Sequence, residues 1–297
     1  MKVLIVSQYF WPESFRINDL AVSLQRRGHQ VHVLTGKPNY PQGKIYKGYN
    51  LFGSTKENYK GVKVYRVPLF PRGNGSGYRL ALNYLSYVFF SCIYILLHPQ
   101  KYDVTLTFAI SPITQVYAAL LHKRLHGSKS LLWVQDLWPE SVSSAGNINS
   151  KAVMKLLTKM VKHIYKRTDK VLVQSEAFIP SVQDKGVTKE QLRYLPNWAE
   201  DLFSELKNTE MKKYQDSIPE GFKVMFAGNI GEAQDFNSII KAANITKEFP
   251  EIKWVILGDG RKMREKEILY NNALPQSNQE IIRTWIKVLH VSSFFYL

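Results

Sequence analysis

From Leu131 to Ser141 the chain reads LLWVQDLWPES. Leu131 to Val134 are apolar throughout, the pattern of a strand buried on both faces. The run breaks at Gln135-Asp136 and again at Trp138-Pro139-Glu140, and proline cannot continue a ladder of backbone hydrogen bonds. The polar pair is therefore expected at the carboxyl end of a strand, the edge of an open parallel sheet where ligands bind. Two readings of Asp136 follow. It belongs to a site with Gln135 and Trp138, or it caps the helix that begins after the turn.

The same grammar runs outward from this stretch. Residues 2–7, 31–35, 62–66, 104–108 and 170–174 have strand character, and the alternation in 62–66 suits a sheet edge. Residues 17–27 form a helical pattern stopped by Gly28, and a loop rich in proline, glycine and tyrosine fills 36–58. Strands separated by helix-length crossovers predict a parallel, doubly wound α/β sheet. A boundary falls at Pro196-Asn197-Trp198, giving a first domain over 1–198 and a second over 199–297. After a polar helical stretch (200–216), the second domain shows a strand over 222–227, a helix over 236–248 and a strand over 253–257. One more helix is expected over 261–273. Two strands fall short of the about five in a usual sheet, so the second domain reads as incomplete.

The chain has 297 residues, 45% of them hydrophobic, and a formal net charge of +16. Such a field attracts anionic membranes, nucleic acid and phosphorylated substrates. No nucleic-acid module is recognisable, so nucleic acid is not an expected partner. Cys92 is the only cysteine, and the apolar run from Val3 to Val6 lacks the length and cleavage site of a signal peptide; both point to a reducing cytoplasm.

Two segments point to a membrane surface. From Leu80 to Leu97 there are 18 residues without a charge, between Arg79 and His98, with Lys101 beyond. That length only just reaches a span. Asn83, Ser86, Ser91 and three tyrosines suit an interfacial or buried helix better. Lys151–Arg167 places Val153, Leu156, Leu157, Met160, Val161, Ile164 and Tyr165 on one helical face, with Lys151, Lys155, Lys159, Lys162, Lys166 and Arg167 over the rest. It is either a sheet-covering helix with a solvated basic face or one that also attracts anionic lipid.

The first strand-to-helix loop, QYFWPESFRIN from Gln8 to Asn18, offers a helix amino terminus and Arg16 to a phosphate. It lacks the G-x-G-x-x-G glycines of a dinucleotide site. Ser14 is either the helix cap or a ligand-binding residue. Gly228-Asn229-Ile230-Gly231 and Gly258-Asp259-Gly260 are glycine turns after successive strands, which suits a nucleotide phosphate. No D-x-D pair exists, and His122 and His126 lack a third ligand, so they read as surface residues and no metal is expected. Ser111 precedes Pro112 without a glycine elbow, which disfavours a hydrolase.

QYFWPESFRINDLA, LTGKPNYPQGKIYKGY, WVQDLWPES, LPNW and FAGNIGEAQDF together resemble family 4 glycosyltransferases over about residues 1–264, in particular the subgroup that builds capsules, O-antigens and colanic acid. The resemblance implies the GT-B fold, two Rossmann-like doubly wound domains. It also implies metal-independent, retaining transfer from a nucleotide-sugar, typically a UDP-sugar, to a lipid-linked saccharide at the inner face of the plasma membrane. No cofactor is implied beyond the donor.

By the same resemblance, FAGNIGEAQDF is the donor-diphosphate loop. Gly228, Asn229, Gly231, Gln234, Gly258 and Arg261 would then bind the donor. Asn229 and Gln234 stand where the wider family has an arginine and a lysine, as in the polysaccharide subgroup, and Arg261 and Lys262 could compensate. Glu13, Ser14 and Arg16 fall in the segment that closes over the donor phosphate. Gln135-Asp136 falls where many relatives have a histidine followed by an acid, near the acceptor hydroxyl. Asp136 is then the one candidate base, with Gln135, Trp138 and Glu140 binding substrate. The E-x7-E element of the family is not found after Gly260, so the resemblance implies a chain cut short after Arg264. Two alternatives follow, an inactive remnant keeping the acceptor domain and a GT-B sugar-nucleotide epimerase.

Overall fold

The computed structural model describes residues 1–53, 55–73, 75–146, 150–198, 220–228, 230 and 235–257. By contacts the chain divides into two units, Met1–Asn197 and Trp198–Leu297.

The first unit is built on strands β1 (Lys2–Val6), β2 (Gln30–Gly36), β3 (Thr55–Tyr59), β4 (Val62–Val67), β5 (Val104–Ala109), β6 (Lys129–Val134), β7 (Lys170–Val173) and β8 (Leu192–Tyr194). They form one sheet in the order β3-β4-β2-β1-β5-β6-β7-β8. Every pairing is parallel except β3 with β4. Leu4, Ile5 and Val6 in β1, Val33 and Leu34 in β2, and Leu132, Trp133 and Val134 in β6 are almost wholly buried, as central strands covered on both faces must be.

Helices α1 (Arg16–Arg26), α2 (Gly77–Leu97), α3 (Val116–His126), α4 (Glu140–Gly146), α5 (Lys151–Arg167) and α6 (Ile179–Asp184) complete the unit. Right-handed crossovers place α1 on one face and α2, α3 and α5 on the other; α3 packs against both α2 and α5. The fold class is the one expected, α/β with a parallel sheet.

The sheet corrects one expectation. Residues 62–66 are not an edge strand, because β3 forms from residues expected to be loop and covers β4. A two-residue turn, Lys60-Gly61, joins the pair, with φ of 49° and 90°. Positive φ at both central positions matches the right-handed twist of the strands. The polar strand TKENY is anchored by Glu57, whose two carboxylate oxygens each accept from Arg66 Nε at 2.9 Å. Strand β8 was also not expected.

Helix α2 is packed with its polarity reversed. A surface helix ordinarily turns its apolar stripe to the core. Here Asn83, Ser86, Tyr87, Ser91 and Tyr94, with Ile95 at the far end, are the buried stripe, while Leu82, Leu85, Phe89, Leu96 and Leu97 are exposed. The buried polar groups are satisfied: Asn83 Nδ2 donates to Phe70 O at 2.6 Å, Ser86 Oγ accepts from Phe70 N at 3.0 Å, and Tyr87 OH donates to Leu34 O at 2.9 Å. The helix is long and apolar enough to cross a membrane by length and composition, yet one face is hydrogen-bonded to the sheet and its strand-end loops.

In the second unit, β9 (Phe222–Ala227) pairs in parallel with β10 (Ile252–Leu257) across α7 (Phe236–Ile245). Ile230, Phe236, Ile240 and Ile256 form its small core. The helices expected over 200–216 and 261–273 lie outside the described residues.

The reversed packing of α2 makes an unusual stability prediction. Asn83→Leu, although more apolar, leaves Phe70 O and Gln8 Nε2 without their partner and should cost about 1–3 kcal/mol. Leu85→Gln should change stability by less than about 0.5 kcal/mol. Urea unfolding of both variants checks the pair; the opposite ranking would refute the packing described.

Candidate functional site

The order of connections reverses at β1 and β5. From β1 the chain leaves through α1 toward β2, and from β5 through α3 toward β6, so their carboxyl-end loops part to opposite faces. Such a switch point is the crevice in which open α/β sheets bind ligands. A buried amide, Gln115, spans it. Gln115 Oε1 accepts from Gln8 N at 2.8 Å, and its Nε2 donates to Ile110 O at 2.9 Å.

The loop after β5 carries Ser111, which meets the loop after β6. Asp136 Oδ2 accepts from both Ser111 N and Ser111 Oγ, each at 2.8 Å. Trp138 Nε1 donates to the same hydroxyl at 3.1 Å. The backbone of Gln135 and Asp136 is tied to Ala109 O, at 3.0 and 3.3 Å. Asp136 therefore orients toward the neighbouring loop and does not cap α4. Its Oδ1 accepts no hydrogen bond from the described residues. A carboxylate with one oxygen locked by two donors and the other unengaged can orient a hydroxyl and accept its proton.

The neighbouring residues divide by environment. Gln135 Oε1 accepts from Asn197 Nδ2 at 3.0 Å, and Asn197 also approaches Gln174 Oε1 at 3.5 Å. This row of amides stands at the ends of β6, β7 and β8, and Gln135 Nε2 is buried without a partner among the described residues. Trp138 is only 7% exposed and belongs to the core beneath the loop. Glu140 pairs instead with Lys185 of the segment after α6, Nζ to Oε1 at 2.6 Å, and Ser181 Oγ reaches it at 3.4 Å.

The first loop is built around buried charge. Glu13 is 2% exposed, and its Oε1 accepts from Asn39 N at 2.8 Å and Tyr40 N at 2.7 Å. Its Oε2 has no partner among the described residues. Burial pushes this carboxyl up to about 7, against the pull of the two amides. Arg66, fully buried, donates to Trp11 O and to Gly36 O and pairs with Glu57, so from β4 it joins the loop after β1, the end of β2 and the middle of β3. Lys37 beside it is also buried, and desolvation lowers its pKa. Arg72 lies over the Tyr40 ring at 4.7 Å. Glu13 is thus a strut under the 39–40 backbone, Ser14 is exposed, and Arg16 is the half-buried first residue of α1. The residue flanking α1 is Phe15, and Ser14 makes no cap.

The structure brings together Asp136 and Trp138 through Ser111, a residue the sequence offered only as a rejected nucleophile, while Gln135 is held by Asn197. Gln115, Asn39, Arg66 and Asn197 were likewise not singled out, although Asn39, within LTGKPNYPQGKIYKGY, and Asn197, within Leu-Pro-Asn-Trp, lay in noticed motifs. His122 is not a surface residue. It is buried between Ser128 Oγ at 2.8 Å and Gln100 O at 2.9 Å, and no metal-binding cluster exists among the described residues. Gly228 ends β9, half-exposed. Asn229, Gly231, Gln234, Gly258 and Arg261 lie outside the described residues.

The glycosyl transferase 4-like domain family matches residues 14–198. The chain is similar to WcaI of Escherichia coli (strain K12), named as a colanic acid biosynthesis glycosyl transferase, at 24% identity over 286 residues, 92% of this chain and 70% of that one. Among solved structures it resembles the catalytic domain of starch synthase IV from Arabidopsis thaliana bound to ADP and acarbose, with a TM-score of 0.59 and 13% identity over 91% of this chain and 72% of that one. Anabaena Alr3699/HepE in complex with UDP has a TM-score of 0.56 and 12% identity, over 92% and 68%. At such identities the likeness is one of fold.

Glu13 gives the site a pH signature. Its carboxyl titrates near 7 in the fold against 4.5 for an ordinary glutamate. The folded state therefore holds the extra proton between those values, and stability falls as pH rises through that window. Burial also lowers the pKa of His32, to about 4, which acts in the opposite direction in acid but equally in both proteins compared. Glu13→Gln mimics the protonated form and keeps the acceptor for Asn39 and Tyr40. Its advantage over the parent should grow by roughly 2–3 kcal/mol from pH 4.5 to 7.5 in urea unfolding. A difference independent of pH would contradict the raised pKa.

Proposed function

The chain belongs to the glycosyl transferase 4-like family, and we propose that it transfers a sugar from a nucleotide-sugar, a UDP-sugar in the first instance, to a lipid-linked saccharide at the cytoplasmic face of the membrane, with retention of configuration. The observation that carries this reading is Asp136 at the end of β6, with Oδ2 held by Ser111 and Oδ1 unengaged. Asp136 orients the acceptor hydroxyl. In a retaining transfer a donor phosphate oxygen takes the proton on the same face, so the demand on the protein is electrostatic positioning more than nucleophilic attack. HepE in complex with UDP and the name of WcaI support the donor class and the polysaccharide setting.

The membrane setting rests on α2 and α5. The uncovered stripe of α2 offers Leu82, Leu85 and Phe89 to an apolar phase. On the same layer, α5 exposes Lys151, Lys155, Lys159, Lys162, Lys166 and Arg167, and leaves Leu156 67% exposed among them. Apolar insertion and attraction to anionic lipid then act together.

Two measurements test this. With labelled UDP-sugar and a lipid-linked acceptor, Asp136→Asn should lower kcat by about 10²-fold with the fold intact, the loss expected of a misplaced acceptor. Transfer equal to the parent would remove Asp136 from the chemistry, and epimerisation of the UDP-sugar without acceptor would replace the reading. In flotation with anionic vesicles, the parent should rise with the lipid, and Leu85→Glu with Phe89→Glu should stay below. Equal flotation of the two would exclude α2 as the contact.

A further inference from the structure

At the amino-terminal end of α2 an open cavity of about 570 Å³ is lined by Gly43, Lys44, Ile45, Pro71, Gly73 and Arg79, among others. Two glycines shape it. Gly73 N donates to Gly43 O at 2.9 Å, and Gly43 has φ of +75°, where an added Cβ would overlap the Gly73 carbonyl. Gly73 itself has φ of +56°, and a Cβ there would stand 2.7 Å from Arg79 Nη1. The Arg79 guanidinium therefore lies against bare backbone, steadied by Nε donating to Tyr78 OH at 3.1 Å. Among the described residues neither Lys44 nor Arg79 is paired with a carboxylate. Two unneutralised cations thus face one cavity beside the positive end of a 21-residue helix.

The walls differ from the charge. Ile45 and Pro71 make one side apolar, and from the mouth the exposed stripe of α2 runs on through Tyr78, Leu82, Leu85 and Phe89. Residues spaced by three and four lie on one helical face, so this is a continuous track leading away from the cations. The ligand chemistry that matches both parts is a phosphate or diphosphate ester with a long hydrocarbon tail. The anionic group would engage Lys44 and Arg79, and the tail would follow α2.

We propose that this cavity binds the phosphate group of a long-chain lipid phosphate ester, and, resting on the transfer reading above, that this ester is the carrier of the acceptor. Guanidinium and ammonium groups in one concave site favour phosphate strongly. The binding step makes and breaks no covalent bond. It sets the distance between the anchored phosphate and the saccharide presented toward Asp136.

The test uses the full chain with neutral phosphatidylcholine vesicles carrying a few per cent of an isoprenyl diphosphate. Vesicles of equal charge made with phosphatidylglycerol serve as the comparison. The parent should prefer the diphosphate vesicles, and Lys44→Gln with Arg79→Gln should lose that preference, by about tenfold or more in affinity. Lys155→Gln with Lys159→Gln and Lys162→Gln should weaken both vesicle types alike. Free inorganic pyrophosphate competing only at far higher concentration would assign the site to the lipid ester; competition at equal concentration would make it a free-phosphate site and overturn the lipid assignment. Equal binding of the double variant and the parent would overturn the proposal. Transfer to a soluble acceptor saccharide that lacks both the tail and the phosphate separates the two readings. The double variant should match the parent there and fall behind only on the lipid-linked acceptor. If the parent transfers to neither while the vesicle preference still depends on Lys44 and Arg79, the transfer reading fails and the binding site stands.

Discussion

Gln115 accepts from Gln8 N with one end of its amide and donates to Ile110 O with the other. It thereby ties together the two loops that the sheet topology drives apart. Gln8 is fully buried and Ile110 partly so, and leaving the buried Gln8 amide unpaired would carry the desolvation penalty of a buried polar group. Everything at the carboxyl edge is referenced to this bridge. From Ile110 the chain reaches Ser111 and, through it, Asp136. From Gln8 the side-chain amide reaches Asn83 Oδ1 at 2.7 Å and so fixes α2. An acid at one sheet end and a helix on one face of the sheet are placed by the same row of amides.

That row accounts for the reversed polarity of α2. Asn83, Ser86 and Tyr87 must face inward to serve Gln8, Phe70 and Leu34. Beyond Arg79 the helix carries no charge, and with Asn83, Ser86 and Ser91 committed inside it has mainly apolar residues left for the outside. The exposed leucines and phenylalanine are in this sense a consequence of the site's own wiring. A second buried hub, Arg66, serves the other side of the crevice, holding the loop after β1, the end of β2 and the middle of β3 to one guanidinium. Glu13, pushed toward neutrality by burial, carries the loop between them.

The central strands were legible because their residues are apolar on both faces, a pattern few other elements produce. The polar end of β6 was legible for the same reason, since Gln135-Asp136 interrupts such a run. Strand β3 was hidden. TKENY has no apolar alternation, and Lys-Gly is a weak hairpin signal beside Asn-Gly; what stabilises the strand is Arg66, seven or more positions away in sequence. His122 was misplaced because two histidines one turn apart on a basic helix look exposed, whereas its partners Ser128 and Gln100 come from outside that helix. Trp138 and Glu140 were grouped with Asp136 by proximity in sequence, and the structure divides them: Trp138 is buried yet reaches the Ser111 hydroxyl that Asp136 holds, whereas Glu140 turns to Lys185. Ser111 could not be found from its own neighbourhood, because its role exists only where two loops meet.

The claim that the end of β6 is where the acceptor is activated rests on the unengaged oxygen of Asp136. A crystal structure of the protein with a nucleoside diphosphate and an acceptor saccharide measures it directly. The account predicts an acceptor hydroxyl about 3 Å from Asp136 Oδ1, with Oδ2 still held by Ser111. An acceptor bound away from this edge, or Asp136 Oδ1 closed by a protein donor in that complex, would contradict it.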